Sequence, residues 1–176
     1  CGSVMTGVGS KSYWKVIWNR ITGNDNLEYI DVEDMESQPT EDLDEIGVYK
    51  EINECFGISI VRLGYKPQNT ILQRYILDDE QNKAYLFYKY NNEILRYTMY
   101  MNNTDSSFGQ KDLDQLLQEY KIENNNYVIN IQEYKVEGSK ENRYIAEFEY
   151  RDVHYQLAGV LGKDEFDKIL KNLIFL

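Results

Sequence analysis

Six β-rich runs separated by short polar spacers constrain this chain more than any other feature. Three of them, Ile71 to Leu77, Lys83 to Tyr90 and Glu93 to Met101, are divided only by Asp78-Asp-Glu-Gln-Asn82 and Asn91-Asn92. Three more, Tyr127 to Val136, Arg143 to Tyr150 and Val153 to Leu161, are divided by turns at Gly138-Ser-Lys-Glu-Asn142 and Arg151-Asp152. Parallel neighbours need a long crossover, so spacers this short require antiparallel hairpins. Tyr88, Tyr90, Tyr97 and Tyr100 suit such a surface, because aromatic rings pair well across strands. The expected frame is an α+β domain with a largely antiparallel sheet of about six to eight strands in meanders. The hairpins Lys83 to Met101 and Arg143 to Leu161 resemble each other, which fits either a duplication or the common look of hairpins.

Amphipathic helices are expected to pack on that sheet. In the first, Trp14, Ile17, Trp18 and Ile21 recur at helical spacing beside Tyr13, with Gly23 as the stop. Its tryptophans suit either a membrane-interface belt or packing on the sheet. Asn24 to Thr40 reads as an exposed acidic connection with an edge strand at Leu27, Tyr29 and Val32. A second helix is expected from about Asp42, with a stripe of Leu43, Ile46, Tyr49, Ile52 and Phe56, an Asp42/Glu45 capping box and Gly57 as its end. Cys55, on or beside the stripe, is expected to be a buried, inert thiol. Ile58 to Leu63 alternates like a strand and leads into a turn at Gly64-Tyr-Lys-Pro67, while Asn102 to Gly109 reads as a loop. Leu113, Leu116, Leu117 and Tyr120 then fit a helix that turns into a strand. The last segment, Asp164 to Phe175, predicts a helix with a stripe of Phe166, Ile169, Leu170, Leu173 and Ile174. Acids open it, and Lys168 and Lys171 follow as the helix dipole favours.

A chain of 176 residues can bury one core, and residues 10–176 are expected to form a single domain. Residues 1–9, Cys-Gly-Ser-Val-Met-Thr-Gly-Val-Gly, are small and apolar but far short of a membrane span. They read as the tail of a truncated transmembrane helix, as the start of a mature lipoprotein with a lipidated Cys1, or as a flexible leader. The net charge of -11 repels phosphate backbones, and no basic run offsets it, so no nucleic-acid partner is expected.

Catalytic chemistry is hard to assemble from these residues. His154 is the single histidine and sits in a strand beside a turn, with no Gly-x-Ser-x-Gly elbow elsewhere to supply a nucleophile. Cys1, Cys55 and His154 are too few for structural zinc. Asp31, Glu33, Asp34, Asp78, Asp79 and Glu80 offer oxygens for calcium but lack the ligand order of a calcium loop. Gly7, Gly9 and Gly64 build no phosphate loop. Glu147 and Glu149 fall on one side of a strand, where an outward acidic stripe is a simpler account than glycosidase carboxylates. No catalytic, cofactor or metal residue is therefore assigned, no cofactor is expected, and the ligand-binding residues stay open.

The stretch Tyr144-Ile-Ala-Glu-Phe-Glu-Tyr150, with His154-Tyr-Gln-Leu-Ala-Gly159 and Lys163-Asp-Glu-Phe-Asp-Lys-Ile-Leu-Lys-Asn-Leu173, resembles the family catalogued as domain of unknown function 4367. The Tyr90-Asn-Asn-Glu-Ile-Leu-Arg-Tyr97 hairpin and the Trp14 to Val32 entry region are similar to it as well. The resemblance implies the extracytoplasmic part of a single-span protein of a Gram-positive bacterium, some relatives standing beside sigma factors, and brings no catalytic residues. On that basis the chain is expected to be a non-enzymatic sensory or binding domain of a membrane-anchored regulator, anti-sigma-like in role. It would take a small-molecule or protein partner and pass its state through the helix at 10–21. The alternatives are a lipoprotein-type carrier of an apolar ligand and, last, a hydrolase using acidic residues.

Overall fold

A computed structural model describes residues 44–101, 115–124 and 126–176. The N-terminal segment 1–9, the helix at 10–21, the edge strand near 27–32, the loop at 102–109 and Leu113 lie outside the described residues, as do Asp42 and Leu43.

Helix α1 (Glu45–Phe56) is followed by the short strand β1 (Arg62–Leu63), then β2 (Ile71–Asp78), β3 (Lys83–Tyr90) and β4 (Glu93–Tyr100). After these come β5 (Gln115–Asn124), β6 (Tyr127–Lys135), β7 (Arg143–Tyr150) and β8 (Val153–Val160), then helix α2 (Lys163–Lys171) and β9 (Leu173–Ile174). Strands β2 to β8 form one seven-stranded sheet in the order β2-β3-β4-β8-β7-β6-β5, and every neighbouring pair is antiparallel. The expected antiparallel α+β frame is what the chain adopts. The meander β2-β3-β4 meets β6-β7-β8 along the β4–β8 seam, so the two similar hairpins lie side by side. Their turns use left-handed backbone: Arg151 and Asp152 both have positive φ, at 48° and 63°, which matches the twist of a two-residue hairpin.

Both helices lie on one face of the sheet. Along α2, Phe166, Ile169 and Leu170 are at most 1% exposed and join Tyr144, Ile129, Ile131 and Phe148 in the core. Tyr120 Oη donates to Asp167 at 2.6 Å, and Asn124 Nδ2 donates to the Leu170 carbonyl at 2.9 Å, fixing α2 beside β5. The buried segment before β1 is held by two tyrosines. Tyr97 Oη donates to the Val61 carbonyl at 2.6 Å, and the Val61 amide donates to Tyr155 Oη at 3.3 Å, so buried backbone groups without a strand partner are still satisfied.

Five expectations need correction. Leu116 and Leu117 stand on β5 rather than in a helix, because strand pairing with β6 begins at Gln115 and a bulge between Leu116 and Gln118 absorbs the irregular spacing. The C-terminal helix stops at Lys171: β9 pairs with β1, so Leu173 is buried on a strand while Ile174 is 44% exposed. Gly64 permits that ending, since a Cβ there would stand 2.3 Å from the Asn172 carbonyl oxygen. The strand expected over Ile58 to Leu63 shrinks to Arg62–Leu63, the two residues that meet β9. In α1, Ile46 is 70% exposed and Val48 is buried in its place, while Gly57 closes the helix in the left-handed conformation as expected. Finally, Cys55 is half-buried at the end of α1 and disulfide-bonded, so it is no free thiol. Only partly covered at the helix end, the sulfur can reach a bonding partner rather than lie sealed in the core.

Candidate functional site

Strand alternation sends one set of side chains away from the helices, and the register aligns them in rows across the whole sheet. One row runs Arg74, Phe87, Arg96, Ala158, Ile145, Gln132, Glu119, and the next runs Ile76, Tyr85, Thr98, Gln156, Glu147, Asn130, Lys121. Burial changes along these rows. Arg96, Thr98 and Gln156 are at most 2% exposed, whereas Glu119, Lys121 and Asn130 stand in solvent. Where the two regimes meet, between β5, β6 and β7, lies a groove of about 460 Å³ lined by Glu119, Tyr120, Lys121, Asn130, Ile131, Gln132, Ile145 and Glu147.

Two hydrogen-bond chains lead into this groove. From the buried side, Arg96 Nη2 donates to Gln156 Oε1, and Gln156 Nε2 donates to Glu147 Oε1 at 3.3 Å. From the β6 side, Tyr134 Oη donates to Gln132 Oε1 at 2.8 Å, and Gln132 Nε2 donates to Glu119 Oε1 at 3.1 Å. Arg143, fully buried, places its guanidinium 4.8 Å from the centre of the Tyr134 ring. The amide orientations of Gln132 and Gln156 are thereby set from behind: Gln132 presents its dipole to the groove, and Gln156, buried behind the lining, orients Glu147.

Burial pushes the Glu147 carboxyl above the ordinary carboxylate range, against the opposing pull of the Gln156 amide, His154 and Arg96. Burial also lowers Arg143 to about 10, helped by the Arg96 charge, so Arg143 keeps its charge at neutral pH. The groove thus has buried cations behind it and carboxylates at its mouth. Such a set can hold a small polar molecule through paired donors and acceptors. Glu147 and Glu119 accept, Lys121 donates, Asn130 and Gln132 do both, and Ile145 offers an apolar floor.

Glu147 and Glu149 do share a face, yet they part company there. Glu149 is exposed with His154 Nε2 at 3.8 Å, consistent with an outward acid, whereas Glu147 is half-buried in the groove and does not belong to an outward stripe. Asp78 does local work: its Oδ1 accepts from the Glu80 and Gln81 amides at 3.1 and 3.0 Å, which shapes the β2–β3 turn. Among the described residues no three His, Cys, Asp or Glu side chains gather closely enough to hold a metal ion. Arg96, Gln156, Gln132, Glu119 and Lys121 were not singled out by sequence. Their signal is a polar residue in an otherwise apolar strand run, as in Ile94-Leu-Arg-Tyr97 and Tyr155-Gln-Leu-Ala158.

A family model described as Domain of unknown function (DUF4367) matches residues 60–173, from just before β1 to the first residue of β9. No curated protein and no solved structure matches the chain.

Proposed function

Since the chain belongs to the family described as Domain of unknown function (DUF4367), we propose that it is a non-catalytic, extracytoplasmic binding domain of a membrane-anchored bacterial regulator, taking a small polar ligand in the β5-β6-β7 groove. The observation that carries this reading is the Arg96–Gln156–Glu147 chain, which places a half-buried carboxylate at the wall of a cavity and fixes it from behind. Pre-set hydrogen-bonding groups need no reordering when a ligand arrives, which favours recognition. The volume of about 460 Å³ falls within the range of small-molecule sites. Binding rather than catalysis is favoured because the Glu119 carboxylate is engaged by Gln132 and the groove lining offers no nucleophile beside a base. The carrier alternative gains little support, since Phe166, Ile169 and Leu170 fill the face beneath α2 with side chains. The extracytoplasmic setting and the sigma-factor connection rest on the family resemblance alone.

Saturation-transfer NMR with soluble cell-wall fragments, amino sugars and muropeptides tests this reading. Wild-type protein is expected to transfer saturation to at least one of them, and Glu147→Ala and Gln132→Leu are expected to abolish it while the fold persists. Absence of transfer to any fragment, or transfer that survives both substitutions, rejects the groove as the binding site.

A further inference from the structure

The two edges of the seven-stranded sheet are unlike. At one, the side chains of β2 are buried or half-buried, and Tyr75 Oη reaches α1 by donating to Glu51 at 2.9 Å. At the other, β5 is ten residues long, contains no proline or glycine, and exposes all of Gln115 to Glu119. Among the described residues, nothing pairs with its outer side. An extended edge of this kind leaves a row of backbone donors and acceptors available to another strand.

We propose that β5 pairs with β5 of a second copy of this chain, antiparallel about a two-fold axis at Tyr120, joining the two sheets into one. This goes beyond ligand binding in the groove and does not depend on it. The sequence of β5 is self-complementary in that register. Glu119, Lys121 and Glu123 share a face, and centring the pair on Tyr120 sets Glu119 of each copy opposite Lys121 of the other. Centring on Glu119 or on Lys121 would oppose like charges, which disfavours both registers. Centring on Ile122 keeps opposite charges together but overlaps only residues 120–124, whereas the Tyr120 register spans 116–124, regular over 118–122 with the bulge at Leu117 toward each end.

Apolar exposure supports the same register. Leu116, Leu117 and Val128 are 46%, 44% and 44% exposed, and all belong to the β5–β6 hairpin. With Tyr120 on the axis, the bulged Leu117 of one copy falls beside Glu123 of the other, whose neighbour on β6 is Val128. The pairing therefore covers apolar surface at both ends of the overlap. Exposed ion pairs contribute little, so the charges select the register while backbone hydrogen bonds and these side chains hold it. The contact is small and each copy carries a net charge of -11, so the association is expected to be weak and concentration-dependent.

Sedimentation velocity on the whole chain, without ligand, tests this. The wild type is expected to move toward twice the chain mass as concentration rises. Lys121→Glu and Glu119→Lys are each expected to weaken association on the order of tenfold, since each puts like charges opposite one another twice. The double variant E119K/K121E restores the opposite pairs and is expected to return association to near the wild-type level. A wild type that stays monomeric at every concentration overturns the proposal, and so does a dimer that the single substitutions leave unchanged. The readout is mass alone, so a failure here leaves ligand binding in the groove untouched, and the reverse also holds.

Discussion

At the scale of single residues, the buried acid Glu133 shows how the sheet margin is held. It accepts from Gln118 Nε2, from Asn142 Nδ2 at 2.7 Å and from Tyr144 Oη at 2.8 Å. Burial alone would raise its pKa, but those three donors and the Lys163 charge outweigh it, and the carboxyl titrates below its ordinary value of 4.5. A folded-state pKa below the unfolded one means a contribution to stability that is complete above the unfolded value and lost as pH falls through the folded value. Urea midpoints measured from neutral pH downward should therefore fall below about pH 4.5. Glu133→Gln should flatten that part of the acid limb; an unchanged slope would mean that Glu133 is not among the groups responsible. The groove residues were less legible than this acid is accountable. Arg96 and Gln156 are sixty positions apart, and only the β4–β8 register brings them together. Spacing along a chain carries no sign of a pairing that non-local, and so Glu147 read as one tooth of a solvent-facing stripe.

Elements were legible where the periodicity had one meaning. The strands β2, β3, β4, β6, β7 and β8 stand out because alternation and short turns agree, and Gly57 ends α1 because a left-handed residue is needed there. Periodicity failed where two templates fit. Leu116 and Leu117 satisfy helical spacing, and the bulge beside them removes the alternation that marks a strand. At the other end of the chain, Leu173 and Ile174 continue the α2 stripe in sequence but leave the helix to pair with β1, a tertiary contact that overrides local preference. The core of α2 nevertheless follows its pattern, and Leu170 is fully buried. Leu170→Asp would set an uncompensated charge between helix and sheet, and is expected to cost roughly 3–5 kcal/mol. Chemical denaturation measures it: a midpoint equal to that of the wild type would place α2 outside the cooperative core.

At the scale of the whole molecule, the β4–β8 seam decides whether the two meanders behave as one body. Its register runs from Arg96↔Ala158 to Tyr100↔His154, and the core side of the same strands stacks Tyr97 on Tyr155 at 5.8 Å and Phe148 on Tyr155 at 4.9 Å. These rings tie β4, β7 and β8 together, and the Val61 hydrogen bonds attach the segment before β1 to the same place. α1 joins the β2 side through Tyr49, Tyr88 and Tyr75, while α2 joins the β5 side through Tyr120 and Asn124. Each meander thus carries its own helix, and the seam is what couples them. Loss of the seam would expose Leu95, Tyr97, Tyr155 and Leu157, all at most 2% exposed in the folded chain. Uncovering that much apolar surface leaves neither half a closed core, so the sheet should unfold in one step. Far-ultraviolet circular dichroism, which follows the strands, and near-ultraviolet tyrosine signals, which follow the packed rings, should give superimposable denaturation curves. Two separated transitions would mean that the meanders open independently and that the seam is the weaker joint.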